Sequence, residues 1–126
     1  MRESGEMYLE TILVLGKRHN SVRSVDIAAE LDISKASVSI ALGKLKNEEC
    51  VIVDHSGQIA LTEKGRQIAE KIYERHQVFS RVFMALGVSE ETAVADACKI
   101  EHDVSDETFA AVKAYLASKN SDFSGS

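Results

Sequence analysis

A thiol, a carboxylate and an imidazole lie close together in the segment Cys98-Lys99-Ile100-Glu101-His102. Residues three and four positions apart share one face of a helix, so Cys98, Glu101 and His102 would project together from a helical segment. We expect that face to be separate from the apolar face of the same helix, formed by Ala93, Ala97, Ile100 and Val104. Three ligand types on one face indicate a transition-metal site. The alternatives are a small buried cysteine and a solvated Glu–His pair.

Other side chains that can bind metals lie elsewhere in the chain. Met7 and Glu10 are three residues apart in the first predicted helix and turn away from its apolar stripe. A methionine outside the apolar stripe suggests a specific role, and the alternative is the filling of a gap in the core, which is the commonest role of a methionine. His76 lies within an apolar stripe of a later helix, where a lone histidine is more often a hydrogen-bonded core residue. Cys50, directly before the apolar run at 51–53, is expected to be a small core residue.

The pattern of apolar residues, caps and turns predicts a mainly α chain with one hairpin. We expect helices over 5–18, 25–31, 35–49, 63–86, 90–104 and 106–119, and strands at 51–53 and 58–61. The predicted N-terminal caps are Ser4, Ser24, Ser34, Thr62, Ser89 and Ser105. Two helices, a tight turn, a third helix and a hairpin form a winged helix-turn-helix. We therefore divide the chain into a DNA-binding domain (1–62), a helical domain (63–119) and a flexible tail (120–126).

The third predicted helix has the composition of a helix that reads DNA. At about 100° per residue, Val38, Leu42 and Leu45 form a buried face, and the opposite face has no acidic residue before Glu48. Ile40, on that opposite face, could contact a thymine methyl in the major groove. The predicted DNA-contacting residues are Ser34, Lys35, Ala36, Ser37, Ser39, Ile40 and Lys44, with phosphate contacts from Lys17, Arg18 and Arg23. The alternative is an ordinary solvated face.

Composition fits an ordinary folded protein, with 44% hydrophobic and 28% charged residues. The net charge of −5 argues weakly against a nucleic-acid partner, but residues 1–66 hold nine basic and ten acidic side chains and leave room for a local basic face. No apolar run approaches the roughly 18 residues of a membrane span, and no signal core follows Met1. We expect a cytoplasmic protein with reduced cysteines. Nothing supplies an oxyanion hole or substrate pocket for a Cys98–His102 nucleophile and base, so we do not expect an enzyme.

These segments together resemble the diphtheria-toxin-repressor and manganese-transport-regulator (DtxR/MntR) family of metal-dependent transcriptional repressors. The resemblance covers nearly the whole chain, and its carriers are Glu6-Met7-Tyr8-Leu9-Glu10, residues 24–45, Leu61-Thr62-Glu63-Lys64-Gly65, Glu74-Arg75-His76 and residues 98–105. It implies a winged-helix domain, a helical dimerisation domain, and a divalent metal bound between them as corepressor. It also implies operators near genes for metal uptake.

The resemblance implies an iron-type primary site. In the iron-responsive branch the positions that match Met7 and Cys98 hold methionine and cysteine, whereas the manganese regulators have aspartate and glutamate there. The implied primary ligands are Met7, Cys98, Glu101 and His102. Thioether and thiolate are soft donors that suit iron(II) better than manganese(II), and cobalt(II) and nickel(II) should also bind.

A second metal site is left open by the resemblance. Its ligands would be Glu10, His76 and the shared Glu101, as in the manganese branch. Ser80 and Val94 occupy positions where the iron branch places a carboxylate and a histidine. We expect no SH3-like domain of the kind common in that branch.

The expected function is therefore a homodimeric repressor that binds operator DNA when loaded with iron(II). A manganese(II)-responsive regulator and a winged-helix regulator that senses oxidation of Cys98 are the alternatives. The helical domain has more apolar surface than so small a domain can bury alone. The residues expected to form the dimer interface are Phe79, Val82, Phe83, Phe109, Val112, Tyr115 and Leu116.

Overall fold

The computed structural model describes the backbone of residues 3–124 and the side chains of residues 5–119. The elements are α1 (Glu3–Arg18), α2 (Ser24–Leu31), α3 (Lys35–Asn47), β1 (Val51–Val53), β2 (Ile59–Leu61), α4 (Glu63–Ala85), α5 (Glu90–Ile100) and α6 (Asp106–Ser124). They form two compact units, residues 1–71 and residues 72–126. The division falls within α4, after the domain boundary expected at residue 62. No helix within residues 3–124 is long and apolar enough to cross a membrane.

The first unit is a winged helix-turn-helix, as the sequence predicted. The apolar stripes of its three helices are buried, and Leu9, Ile27 and Val38 are completely inaccessible to solvent. β1 and β2 pair antiparallel, with Ile52 opposite Ala60. The wing is held against the chain before α2, because the Ile59 N–H donates to the Val22 carbonyl at 2.8 Å.

The turn between α2 and α3 sets the start of the third helix. Asp32 has a left-handed backbone (φ 54°) and ends α2, and the Ile33 N–H donates to the Ala28 carbonyl at 3.1 Å. Ser34 caps α3 as predicted, since its hydroxyl accepts from the Ser37 N–H at 3.1 Å.

Two predicted caps are wrong by a few residues. Ser24 is the first residue of α2, and the N-cap is Arg23, whose N–H donates to the Asp26 carboxylate at 2.8 Å. Ser4 lies inside α1, which begins at Glu3. Helix ends are the least certain part of a sequence-based assignment, because the cap depends on which side chain reaches the free N–H groups.

The tip of the wing is organised by one carboxylate. Asp54 accepts from the Ser56 hydroxyl at 2.7 Å and from the N–H groups of Ser56 and Gln58, each at 2.9 Å. The hydroxyl bond from Ser56 is the main cause that lowers the pKa of Asp54 below its usual value. Gly57 completes the turn with φ 89°, a conformation that favours glycine.

The start of α4 is packed tightly against the segment that leads into the wing. Thr62 accepts from the Gly65 N–H at 3.1 Å and donates to the Glu49 carbonyl at 2.6 Å, so it caps α4 as predicted. A Cβ atom on Gly65 would lie 2.0 Å from the Cys50 carbonyl oxygen. Only glycine fits there without movement of the backbone.

The second unit is a helical unit with its own core, formed by Val78, Phe79, Ala97, Phe109 and Leu116. The Phe79 and Phe109 ring centroids are 5.9 Å apart. Phe79, Phe109 and Leu116 were expected in a dimer interface, and that expectation is wrong, because they are buried within the chain itself. Tyr115 is 63% exposed.

The helix boundaries of the second unit agree with the sequence except at the ends of α5 and α6. α4 stops just before Gly87 (φ 102°), and Ser89 and Ser105 cap α5 and α6 as predicted. α5 ends at Ile100, before the end expected near residue 104, and turns follow it. α6 continues to Ser124, beyond the end expected at residue 119. The flexibility expected for residues 120–126 stays a prediction, because the side chains of these residues lie outside the described part of the chain.

Candidate metal centre

Glu101 is the most deeply buried acidic residue among those whose side chains are described. It directly follows α5, its N–H donates to the Ala97 carbonyl, and it has no accessible surface. Ala93 and Ala97 are equally buried. Positions four residues apart recur on the same side of a helix, so Glu101 continues the buried face of α5. The expectation that the metal-binding face is separate from the apolar face is therefore wrong for Glu101.

Two imidazoles flank the Glu101 carboxylate. His76 Nδ1, from α4, is 2.9 Å from Glu101 Oε2, and His102 Nε2 is 3.4 Å from Glu101 Oε1. The two imidazole side chains are 23% and 3% exposed. Oε1 has no hydrogen-bond partner among the residues that the structure describes. A buried carboxylate oxygen without a partner is energetically costly, so this arrangement fits the binding of a cation.

Arg75 holds the main chain that follows α5. Its Nη1 donates to the Glu101 carbonyl at 3.1 Å and to the Val104 carbonyl, and its Nη2 donates to Asp106 Oδ1 at 2.6 Å. The guanidinium lies 5.2 Å from the centroid of the Phe109 ring. No role was predicted for Arg75 from the sequence. One signal was available, because Ile72, Arg75 and Phe79 have the spacing of a buried stripe.

The other predicted metal ligands occupy two environments. Cys98 is exposed on the last turn of α5. Met7 and Glu10 are half-buried on α1, in the first unit. Within the second unit the structure thus brings together Glu101, His102 and His76, and the last of these was predicted only for the possible second site.

The two thiols differ sharply in exposure. Cys50 has no accessible surface, as predicted, and burial raises the pKa of its thiol above the usual value. Neither Cys50 nor Cys98 forms a disulfide bond. A raised pKa reduces the thiolate fraction, so Cys50 is the less reactive of the two.

The predicted DNA-contacting face of α3 is open to solvent. Val38, Leu42 and Leu45 are buried on the inner side, as predicted. Ile40 is 64% exposed, although it is a large apolar residue. All seven predicted contact residues are exposed: Ser34, Lys35, Ala36, Ser37, Ser39, Ile40 and Lys44.

Two family models match the chain. Residues 1–59 match the N-terminal DNA-binding domain of the iron dependent repressor, and residues 62–126 match its metal-binding and dimerisation domain. A helix-turn-helix transcriptional regulator of Methanocaldococcus jannaschii is 34% identical over 92% of this chain and 94% of its own length. The transcriptional regulator MntR of Escherichia coli is 34% identical over 90% of this chain and 74% of its own length.

Solved structures of metal-dependent regulators are also similar to this chain. The manganese regulator SloR superimposes with a TM-score of 0.80 at 28% identity, over 90% of this chain and 53% of its own. A manganese-dependent transcriptional repressor in complex with manganese gives a TM-score of 0.81 at 27% identity, over 90% of this chain and 52% of its own. The chain thus spans about half the length of these two structures.

The family matches agree with the fold, the buried Glu101 carboxylate and the exposed face of α3. The chain belongs to the iron dependent repressor (DtxR/MntR) family and is a metal-dependent transcriptional repressor, with a DNA-binding domain followed by a metal-binding and dimerisation domain, rather than an enzyme.

Proposed function

We propose that this repressor responds to iron(II), held by Met7, Cys98, Glu101 and His102, and that the loaded homodimer binds operator DNA of metal-homeostasis genes. The observation that most supports a metal centre here is the Glu101 carboxylate. It is fully buried, it lies between the imidazoles of His76 and His102, and its Oε1 atom lacks a hydrogen-bond partner among the described residues.

The electrostatics of Glu101 favour a cation at this position. An ionised carboxylate without a compensating charge or full hydrogen bonding is strongly destabilised when it is buried. A divalent cation would supply the missing charge. The imidazoles can offer neutral nitrogen ligands.

The preference for iron(II) depends on two sulfur donors. Met7 supplies a thioether and Cys98 a thiolate, and both are softer than the oxygen and nitrogen ligands that manganese(II) prefers. Cys98 is exposed and therefore accessible to a metal, and it precedes Glu101 by three residues. Cobalt(II) and nickel(II) should bind the same set in vitro.

Manganese(II) is the second candidate, and the donors around Glu101 favour it. The side chains that meet in the second unit offer only oxygen and nitrogen atoms, from Glu101, His76 and His102. Glu10 would add another carboxylate if the second site forms. In addition, SloR is described as a manganese regulator.

For DNA recognition we propose that α3 enters the major groove. Ile40 is exposed in the middle of the helix, where an apolar side chain can lie against a thymine methyl. Lys35 and Lys44 would contact phosphates or base edges. Two copies of α3 in a dimer would read half-sites about one helical turn apart, or a multiple of that distance.

The test of the metal centre is a pair of matched variants, Glu101→Gln and Glu107→Gln. Both remove one carboxylate from the second unit, but Glu107 is exposed on α6. Binding of iron(II) and manganese(II) would be measured anaerobically, together with metal-dependent binding to a DNA sequence selected from a random library. We expect Glu101→Gln to abolish the response to both metals and Glu107→Gln to leave it unchanged.

Full metal response in Glu101→Gln would contradict the proposed centre. His102→Ala should have the same effect as Glu101→Gln, whereas His76→Ala should have a smaller effect if the second site is vestigial. If DNA binding depends instead on the oxidation state of Cys98 and not on metal, the thiol-sensing alternative replaces the proposal.

A further inference from the structure

The turn between α5 and α6 carries two proposed ligands, Glu101 and His102, yet it contains no regular secondary structure. The last carbonyl groups of a helix lack partners within the helix, and a buried helix end requires donors from elsewhere. Glycine commonly provides such an end, but residues 101–105 contain none. Another part of the chain must therefore hold this turn.

Arg75 supplies donors to two carbonyl groups of this turn. One nitrogen of its guanidinium donates to the carbonyls of Glu101 and Val104, and the other donates to Asp106 Oδ1 at 2.6 Å. The Arg75 side chain is only 5% exposed, whereas that of Asp106 is 76% exposed. A guanidinium is planar and carries its donors in a fixed fork, so these bonds define both the position and the direction of the turn.

The neighbour of Arg75 in the sequence is His76, which contacts the Glu101 carboxylate at 2.9 Å. Successive residues of α4 thus contact the backbone and the side chain of the same acidic residue. A buried arginine is costly to desolvate, and its Nε has no hydrogen-bond partner among the described residues. A hydrophobic side chain would fill this core position without the cost of desolvating a charge, so packing alone does not explain a guanidinium here.

We propose that Arg75 is a positioning residue for the metal centre. It fixes the backbone of the turn from Glu101 to Asp106, so that the Glu101 carboxylate stays between His76 and His102 before any metal arrives. A preorganised site binds more tightly because the ligands lose less conformational freedom on binding. This inference rests on the proposed role of Glu101 as a ligand.

A second ion pair between α4 and α6 provides the matched control. Lys113 Nζ lies 2.6 Å from Glu74 Oε2, the same distance as the Arg75–Asp106 pair. Both of its side chains are about half exposed. Arg75→Met and Lys113→Met each remove one cation that links the two helices, but only the first releases the carbonyls of Glu101 and Val104.

The experiment is a titration of each variant with cobalt(II), monitored by the absorption of the bound metal, at a temperature where all variants are fully folded. Loss of a partner that orients a ligand typically lowers metal affinity by about 10- to 100-fold, and we expect this for Arg75→Met. Lys113→Met should bind like the unmodified protein. Arg75→Lys keeps the charge but not the fork, and should fall between them.

Hydrogen exchange in the metal-free protein gives an independent readout. The amides of residues 101–106 should exchange faster in Arg75→Met than in Lys113→Met. Equal affinities for Arg75→Met and Lys113→Met, or equal exchange rates in the turn, would overturn the proposal.

A further variant decides the question if Arg75→Met fails to fold. Asp106→Asn removes the carboxylate that anchors the guanidinium, and Glu107→Gln is its control on the next residue of α6. Lower cobalt(II) affinity for Asp106→Asn alone supports the positioning role, and unchanged affinity refutes it. Failure of the metal centre itself would appear separately, as normal binding by Glu101→Gln.

Discussion

At the scale of single residues, the reactivity of the two thiols tests whether Cys98 belongs to the proposed ligand set. Cys98 is exposed and Cys50 is fully buried, with burial raising the pKa of its thiol. We expect iodoacetamide to alkylate Cys98 in the native protein and Cys50 only after unfolding, because the thiolate is the reactive form. Mass spectrometry of the alkylated peptides measures both rates in one sample.

Bound metal should protect Cys98, but not Cys50, from alkylation. If Cys98 is a ligand, saturating iron(II) or cobalt(II) without oxygen slows its alkylation strongly and leaves Cys50 as it was. Equal alkylation of Cys98 with and without metal would remove it from the ligand set. In that case the oxygen and nitrogen donors around Glu101 would remain as the candidate metal ligands.

Two exposed residues of α3 should affect DNA binding in different ways. Lys44→Ala removes a charge that is expected to contact phosphate, so it should weaken binding to all sequences about equally and reduce the dependence on salt. Ile40→Ala removes an apolar contact and should lower the preference at one base step by up to roughly 1–3 kcal/mol. Binding to a panel of single-base variants of the selected site, at several salt concentrations, separates the two effects. An unchanged sequence profile for Ile40→Ala would exclude its base-reading role.

Residue types and spacing predicted which side chains could bind a metal, but not that Glu101 is buried or that His76 contacts it. The spacing of Glu101 and His102 indicated a metal centre, yet the carboxylate was expected on a face away from the core. At about 100° per residue, Glu101 lies only about 40° from Ala97 around the helix axis, so it shares the buried face. The pairing of His76 with Glu101 depends on how α4 packs against α5, which no local pattern contains.

At the scale of the elements, the close packing of α4 against the wing depends on Gly65. A Cβ there would lie 2.0 Å from the Cys50 carbonyl oxygen. Gly65→Ala should therefore destabilise the first unit by about 1–3 kcal/mol, the usual cost of overpacking. Gly16→Ala is the control, because nothing lies within 4 Å of its Cβ position in α1. It should stabilise the helix by about 0.5–1 kcal/mol.

Thermal unfolding monitored by circular dichroism measures the stability of both glycine variants. The unfolding midpoints of Gly65→Ala and Gly16→Ala should move in opposite directions from that of the unmodified protein. A Gly65→Ala midpoint at or above that of the unmodified protein would show that α4 is not packed against Cys50 as described.

Helix ends show where sequence-based prediction of the elements succeeds. Ser34, Ser89 and Ser105 cap their own helices through local bonds to N–H groups three residues ahead, and all three were predicted. The end of α5 was placed too late, because no glycine or proline marks it. The turn that follows it is held by Arg75, which donates to the Glu101 carbonyl from 26 residues away in the sequence.

At the scale of the whole molecule, the second unit exposes apolar side chains that a second copy of the chain could cover. Tyr115 is 63% and Leu86 77% exposed, whereas Phe109 and Leu116 are buried within the chain. If Tyr115 lies in the dimer interface, Tyr115→Glu should weaken dimerisation by about 1–2 kcal/mol, or about tenfold. Ile52→Glu alters an apolar side chain of the wing that is 60% exposed, and should leave the dimer intact.

Sedimentation equilibrium of the three proteins at micromolar concentration measures dimerisation. A monomeric unmodified protein, with and without metal, would refute the proposed homodimer. Equal dissociation constants for Tyr115→Glu and the unmodified protein would leave the dimer in place and remove Tyr115 from its interface.

The metal to which the repressor responds can be identified by measuring DNA binding at buffered free iron(II) and manganese(II) without oxygen. Iron(II) should activate the unmodified protein at the lower free concentration, because Met7 and Cys98 are soft donors. The double variant Met7→Asp, Cys98→Glu has an oxygen-rich set, so manganese(II) should activate it better than iron(II). If manganese(II) activates the unmodified protein as strongly as iron(II), the two sulfur residues do not select the metal and the iron(II) proposal is wrong.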